Sequence, residues 1–184
     1  VDLDWHGIGI SVARSVVPQM DGYELWFAAE NGDKLWHGLK VAGAAPVGSE
    51  AVGLYRIACG VPRYGIDLRE RDLPQETAQQ HALFFGKGCY VGQEIVERIR
   101  ARGNVHRTFT GFQVEGPPPQ PGTKIQSNGK DVGEITSAAI IPFTQGDRTL
   151  ALGYLRREAV EAGAELQVAG HRATTWAPPY RLSV

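Results

Sequence analysis

The spacing of apolar residues divides the chain into a mixed first part and a strand-rich second part. In the first part, alternation of apolar and polar residues predicts strands, and apolar residues three or four positions apart predict helices. Ser49 can cap a helix start, and Gly43 and Gly103 can take the left-handed conformation that ends a helix. The predicted elements are hairpin strands over Ile8–Val16 and Tyr23–Ala28, joined by a turn in PQMDG, and helices over Glu30–Ala42, Ser49–Ala58 and Gly92–Arg102.

The second part reads as a series of short strands. Six runs, TFTGFQVEG, TKIQS, DVGEITSAA, RTLALGYL, AELQVAG and RATTWAP, are separated by turn-forming segments such as PPPQPG, NGK and QGD. Such a series is typical of a small antiparallel barrel or sandwich. Between the two parts, Leu73–Gly86 has no clear period and is predicted to be a connector with a short helical or extended piece. We therefore predict an α+β domain over residues 1–103 and a C-terminal antiparallel β-barrel over residues 104–184.

Composition narrows the class of protein. The chain has 184 residues, of which 42% are apolar and 21% charged, and its net charge is -1. These values are ordinary for a soluble domain, and no apolar run approaches the roughly 18 residues that a membrane helix needs. Near-neutral charge argues against nucleic-acid binding by the whole surface. Because the chain opens at Val1 without features of a secretory signal, we expect it to begin inside a longer gene product.

Cysteine and histidine usage argues against a built-in metal or cluster site. Cys59 and Cys89 are thirty positions apart, no CxxC pair is present, and the five histidines lack metal-ligand spacing. No metal ligands are therefore predicted. Sparse cysteine without a disulfide framework favours a reducing compartment, and we expect a cytoplasmic protein.

The octapeptide KGCYVGQE, Lys87–Glu94, is the motif most able to carry chemistry. Gly88 and Gly92 permit a tight turn that presents Cys89 at the start of the following helix. The positive end of the helix and the ammonium of Lys87 both favour the thiolate, which is the reactive and metal-ligating form of cysteine. The alternative is that Cys89 is a small buried apolar residue and that the glycines only make a turn.

At this motif the chain resembles the YgfZ family, whose signature is KGCYxGQE. These are folate-binding proteins linked to tRNA modification and to the maintenance of iron–sulfur proteins, and they are relatives of the glycine cleavage T-protein aminomethyltransferases. Further matching segments occur in the same order: DGYEL, RIACGVPRYGIDL, LPQET and RARGNVHR. The resemblance implies a partial aminomethyltransferase-type (GcvT/YgfZ-like) folate-binding domain followed by the barrel, with an additional N-terminal portion completing the folate cavity.

The resemblance also implies roles for individual residues. Cys89 and Lys87 would form the functional pair, with the lysine keeping the thiol ionised. The residues implied to bind the cofactor, tetrahydrofolate or a related folate, are Glu24, Tyr90, Gln93 and Glu94. In the aminomethyltransferases an arginine of an ARD-type segment contacts folate, and Val52 stands at that place here.

Three functions remain open at this stage. The first is an accessory protein that binds folate and supports iron–sulfur client proteins, including enzymes that modify tRNA, without independent turnover. The second is a tetrahydrofolate-dependent aminomethyltransferase, which the change to Val52 argues against. The third is a non-catalytic interaction module built on the same fold.

Direct contact with tRNA is not expected. The segment RIRARGNVHR is basic, but Glu94 and Glu97 lie on the same predicted helix and offset its charge. A solvated face with salt pairs, such as Glu94 with Arg98 four positions later, explains the pattern better than a nucleic-acid site.

Overall fold

The computed structural model describes residues 1–15, 21–79, 82–103, 105–161 and 165–180. The chain divides into two compact units, Val1–Val52 and Gly53–Val184. Residues 16–20, which include part of the predicted hairpin turn, and Asn104, at the predicted domain boundary, lie outside the described residues. The division into domains at 103 and 104 stays a prediction.

The first unit is built on a three-stranded antiparallel sheet with one helix. Strands β1 (Asp2–Trp5), β2 (Ile8–Ser15) and β3 (Gly22–Trp26) pair in that order, and helix α1 (Gly32–Val41) follows. The core contains Ile8 and Ile10 on one face of β2 and Leu35 of α1. The two isoleucines show the period of two of a half-buried strand, and the predicted hairpin strands and helix occur close to their predicted ranges, so both are confirmed.

The second unit carries the remaining helices. Most of helix α2 (Ser49–Cys59) belongs to it, and α3 (Gln93–Arg102) and the short α4 (Arg157–Glu161) follow. Within the predicted connector, Pro74–Thr77 forms a single 3₁₀ turn. The end of α2 buries Ile57 and Ala58 against aromatic and aliphatic side chains of the strands, among them Phe109, Leu150, Leu152 and Tyr154.

A closed antiparallel barrel forms most of this unit. Its strands are β4 (Arg107–Val114), β5 (Lys124–Ser127), β6 (Lys130–Ile141), β7 (Arg148–Arg156), β8 (Leu166–Val168) and β9 (His171–Trp176). They are arranged in the order β4-β7-β6-β5-β8-β9, and β4 closes the barrel by pairing with β9. The interior is filled by alternating side chains, including Phe112, Ile125, Ile135 and Val168, each fully buried. The predicted fold class, α+β with an antiparallel C-terminal barrel, is confirmed.

One irregularity in the barrel bears on the site described below. Along β6 and β7 the register passes from Ile135 opposite Gly153 to Ser137 opposite Leu152, so Thr136 is an extra residue in β6. A bulge of this kind changes the direction of the side chains that follow it. Here it allows the hydroxyls of two consecutive residues, Thr136 and Ser137, to bond the same carboxylate oxygen.

Candidate functional site

The KGCYVGQE loop is closed by a pair of hydrogen bonds at the start of α3. The amide N–H of Tyr90 donates to Oε1 of Gln93 at 3.3 Å, and the amide N–H of Gln93 donates to the carbonyl of Tyr90 at 3.2 Å. Gly92, which precedes the helix, has a φ of 88°, in the left-handed region that favours glycine. The turn and the helix start therefore lie where the sequence predicts them.

Around this turn the structure brings together five of the six predicted site residues. Cys89 is a free thiol and is exposed, so the buried alternative for this cysteine is wrong. The ammonium of Lys87 lies 5.4 Å from the centroid of the Tyr90 ring, a cation–π geometry. Glu94 forms an ion pair with Arg98 at 2.8 Å, the pairing predicted from their spacing. The functional roles of these residues stay predictions.

Glu24, the sixth predicted site residue, lies in the first compact unit. It is exposed on β3 and faces Ala13 of β2 across the sheet. Val52, at the place that the resemblance assigns to a folate-contacting arginine, is 55% exposed.

The LPQET segment ties α3 to the barrel. On one side, the side-chain N–H of Gln75 donates to the carbonyl of Val96 in α3 at 3.0 Å. On the other side, Arg107 at the start of β4 forms ion pairs with Glu76 at 3.0 Å and with Asp72 at 2.8 Å. Both carboxylates are nearly buried, and the guanidinium also lies 4.4 Å from the centroid of the Tyr154 ring. The segment is thus bonded to two elements.

A second polar cluster fixes the loop of the RIACGVPRYGIDL segment. The carboxylate of Asp67 is fully buried and receives hydrogen bonds from Arg56 of α2, from the backbone N–H of Arg63, and from both hydroxyls at the β6 bulge. The Arg56–Asp67 pair measures 2.6 Å. Because a buried carboxylate is stable only when its oxygens are bonded, this arrangement determines the path of the loop. The hydroxyl of Tyr154 also donates to the Asp67 carbonyl at 3.0 Å, and burial raises the pKa of that phenol.

The same loop borders an open cavity of about 510 Å³. Most of its wall is apolar, with the ring of Tyr64 exposed beside it and Asp72 among its few charged residues. Small-molecule sites in proteins usually occupy about 300–1,000 Å³ and combine apolar walls with a few polar groups. The lining residues are Val61, Pro62, Tyr64, Leu68, Arg69, Glu70, Asp72, Pro74, Thr77, Gln79 and Ala82.

The sequence reasoning did not identify the charged residues that hold these segments. Asp67, Asp72, Glu76 and Arg107 were given no role in it, although three of them lie in segments that carry the resemblance. The available signal was the presence of carboxylates inside glycine- and proline-containing segments rich in apolar residues. Carboxylates in such surroundings are often buried and paired, but their partners are distant in the sequence.

The described residues include neither a cluster of metal ligands nor a membrane-spanning helix. Among the residues that the structure describes, no group of three or more histidine, cysteine or acidic side chains could hold a metal ion. Within the same residues, no helix has the length and apolar character needed to span a membrane. In the basic segment that begins in α3, the side chains of Arg100 and Arg102 lie outside the description.

Comparisons with known proteins agree with this architecture. Residues 106–180 match the family described as CAF17, C-terminal beta-barrel domain. The chain is 32% identical to an aminomethyltransferase of Rippkaea orientalis over 159 residues, which is 85% of this chain and 42% of that protein. It is 31% identical to an aminomethyltransferase of Thermus thermophilus over 164 residues, or 86% of this chain and 43% of that protein.

A solved structure shows the same fold. The glycine cleavage system aminomethyltransferase T from Bartonella henselae superposes with a TM-score of 0.72 at 20% identity, covering 96% of this chain and 50% of that one. The chain spans less than half the length of the two curated relatives described above. The chain is thus similar to aminomethyltransferases over most of its own length, and its second part is similar to the CAF17 C-terminal barrel.

Proposed function

We propose that this chain is part of a YgfZ-type accessory protein that binds a folate and supports iron–sulfur enzymes, including enzymes that modify tRNA, with Cys89 as the key group. The observation that carries the proposal is the exposed free thiol of Cys89 in a loop fixed at the start of α3. Neither cysteine, at position 59 or 89, forms a disulfide in the described part of the chain, which suits a reducing compartment such as the cytoplasm.

The position of Cys89 suits transient sulfur chemistry. Cys89 is exposed in the loop that precedes α3, so its sulfur is accessible to a partner protein. Iron–sulfur clusters normally take four cysteine ligands, and Cys89 supplies one. Cys89 would therefore act as one ligand during transfer or repair of a client's cluster and would not hold a cluster by itself.

Folate binding is supported by the similarity to the aminomethyltransferases and by the cavity beside Tyr64. Its volume of about 510 Å³ is large enough for an aromatic ligand, and the exposed tyrosine ring offers a surface on which such a ligand can stack. Tyr90 and Gln93 would shape the site near the thiol, and Glu94 would hold the loop. We propose that Glu24 pairs with the donor edge of the pterin, since a carboxylate accepts hydrogen bonds there.

Aminomethyl transfer is the second candidate function, favoured by identities of 31–32% to aminomethyltransferases. Val52 weakens it, because an isopropyl group cannot replace the ionic contact of an arginine with folate. Turnover of an aminomethyl donor in the presence of tetrahydrofolate would favour this function over the accessory role.

The proposal is tested by replacing the thiol in a strain that lacks the endogenous protein. We expect Cys89→Ser, introduced into the complete gene, to leave modified-tRNA levels at less than half of those restored by the unchanged gene. The matched control is Val91→Ser in the same loop, where the side chain is fully exposed, and it should restore them in full. Full restoration by Cys89→Ser, at equal protein levels, would show that the thiol is dispensable.

A titration tests the folate part of the proposal separately. Tetrahydrofolate should quench the tryptophan fluorescence of the complete protein, and Glu24→Gln should weaken its binding at least tenfold, because the amide presents a donor where the carboxylate accepted. Binding of equal strength in the two proteins would remove Glu24 from the site.

A further inference from the structure

The Pro74–Thr77 segment has a position that the proposed chemistry at Cys89 does not explain. This short turn packs against both β4 and α3, and it packs against α3 more than any other described element does. Helix α3 itself is lightly held, since Val96 is the buried side chain among those described on it. The attachment of the helix that follows the Cys89 loop therefore depends on few contacts.

Gln75 is placed for the hydrogen bond that it donates to α3. Its N–H reaches the carbonyl of Val96 at 3.0 Å, whereas its Oε1 is buried with no hydrogen-bond partner among the described residues. Leaving a buried acceptor unpaired is unfavourable, so an apolar side chain of the same size would suit the packing better. The amide thus acts through its donor end, at Val96, which is buried while the other described side chains of α3 are not.

Arg107 holds the other side of the same turn. Its guanidinium is shared by Glu76 and Asp72, whose side chains are 9% and 4% exposed. Without the guanidinium, these two carboxylates would be nearly buried without a counter-charge, and that is a strongly unfavourable state. The turn would then move away from β4 so that water could reach them.

We propose that Gln75 and Arg107 are positioning residues that form one continuous link from the barrel through the Pro74–Thr77 turn to α3, and so hold the Cys89 loop in place. This inference rests on the proposed role of Cys89 for its functional meaning. The link itself is a physical property of the chain, and it is measurable without any assumption about that role.

Hydrogen exchange measures the link directly. In Gln75→Met, which keeps the size of the side chain and removes the donor, we expect amides of α3 to exchange at least five times faster, while amides of β6 and β7 change less than twofold. The matched control is Gln79→Met, because among the described residues the side-chain amide of Gln79 donates to the carbonyl of Thr77, within its own segment. Equal exchange of α3 in Gln75→Met and in the unchanged protein would overturn the inference.

A double-variant cycle tests whether the link is continuous. If Gln75 and Arg107 act through the same turn, Gln75→Met combined with Arg107→Gln should raise α3 exchange no more than the stronger single variant, within twofold. Arg107→Lys should restore part of the protection, since it keeps one charge beside the two carboxylates. Single effects that multiply would show two independent attachments and would refute the link.

Alkylation of Cys89 separates positioning from general stability. With the unfolding temperature of Gln75→Met within about 2 °C of the unchanged protein, a displaced Cys89 loop should change the Cys89 alkylation rate at pH 7 at least threefold, and an unchanged rate would contradict the positioning role. A Cys89→Ser protein that restores tRNA modification, with α3 loosened as expected in Gln75→Met, would refute the proposed function and leave the link intact. Unchanged α3 exchange in Gln75→Met, together with failure of Cys89→Ser to restore tRNA modification, would refute the link and leave the proposed function intact.

Discussion

At the scale of single residues, the buried carboxylate of Asp67 is the most heavily bonded group in the described part of the chain. It lies on a loop, yet it draws donors from α2, from its own loop and from β6. All of these donors converge on one side chain, so a single substitution affects three elements together. The free energy of unfolding should therefore be more sensitive to Asp67 than to its neighbours.

We expect Asp67→Asn to lower the free energy of unfolding by about 3 kcal/mol or more, because it leaves Arg56 without its buried counter-charge. Urea unfolding followed by circular dichroism measures the change. Glu70→Gln provides the matched control: Glu70 is exposed, and its loss of charge should alter stability by less than about 0.5 kcal/mol. A loss below about 1 kcal/mol in Asp67→Asn would show that Arg56 finds another partner.

The two cysteines offer a second prediction at this scale. Cys59 is 2% exposed, and burial raises the pKa of its thiol, whereas Cys89 is exposed. Since the thiolate is the form that reacts, a raised pKa leaves Cys59 protonated until a higher pH. Iodoacetamide in limiting amount at pH 7.5 should label Cys89 at least twentyfold more than Cys59, as read by peptide mass spectrometry. In urea the two should react alike; equal labelling in the folded protein would contradict the burial of Cys59.

Local interactions were predictable from the sequence at this scale, and distant ones were not. The Glu94–Arg98 pair and the turn around Gly92 follow from spacing of a few positions. The bonds of Asp67 to Thr136 and Ser137 join residues 69 and 70 positions apart. Nothing in the local pattern marks such partners, because their meeting depends on the closed barrel.

At the scale of elements, the turn before α3 contains a natural pair of glycines for comparison. Gly92 has a positive φ of 88°, whereas Gly88 does not have a positive φ, and a Cβ at either would meet no atom within 4 Å. Any difference between their substitutions by alanine therefore arises from backbone conformation and not from packing. The two positions isolate the conformational requirement of the loop.

We expect Gly92→Ala to destabilise the protein by about 1–2 kcal/mol, because an L-residue is strained in the left-handed region. Gly88→Ala should be neutral or stabilising by up to about 1 kcal/mol, since it restricts only the unfolded chain. Urea unfolding of the two variants under the same conditions measures both. A loss of equal size at the two positions would show that α3 starts in another conformation.

The predicted elements were mostly confirmed, and the exceptions were short. The hairpin, three helices and the strands of the barrel occur close to the predicted ranges. The short elements β1 and α4 were not predicted, and the Pro74–Thr77 turn was predicted only as a short helical or extended piece of the connector, because a period needs more residues than these contain. The alternation of apolar and polar residues also does not predict that β4 pairs with β9 to close the barrel, because the same alternation occurs in a sandwich.

At the scale of the whole molecule, the two compact units differ in the size of their cores. Ten buried residues form one cluster in the barrel, whereas the described cluster of the first unit has three. Stability increases with the apolar surface that is removed from water. We therefore expect the free energy of local opening to be smaller in the first unit. The proposed folate contact at Glu24 lies in this less stable unit.

Hydrogen exchange should reveal this difference along the chain. We expect amides of β6 and β7, which lie between two partner strands each, to exchange at least a hundredfold more slowly than amides of β1 and β3. Peptide-resolved mass spectrometry on the complete protein gives both rates in one experiment. Similar protection in the sheet of the first unit would mean that its strands open only together with the barrel.

The bulge at Thr136 has a consequence for how such barrels diverge. A strand without the extra residue, Thr136, would lose one of the two hydroxyls that bond the Asp67 carboxylate, while its other residues could still pair in the barrel. Loss of the Thr136 codon would therefore leave a closed barrel whose hydrogen bonds to the loop of Asp67 are weakened. Insertions and deletions should be tolerated at Gln145 and Gly146, in the exposed bend between β6 and β7, and selected against at Thr136.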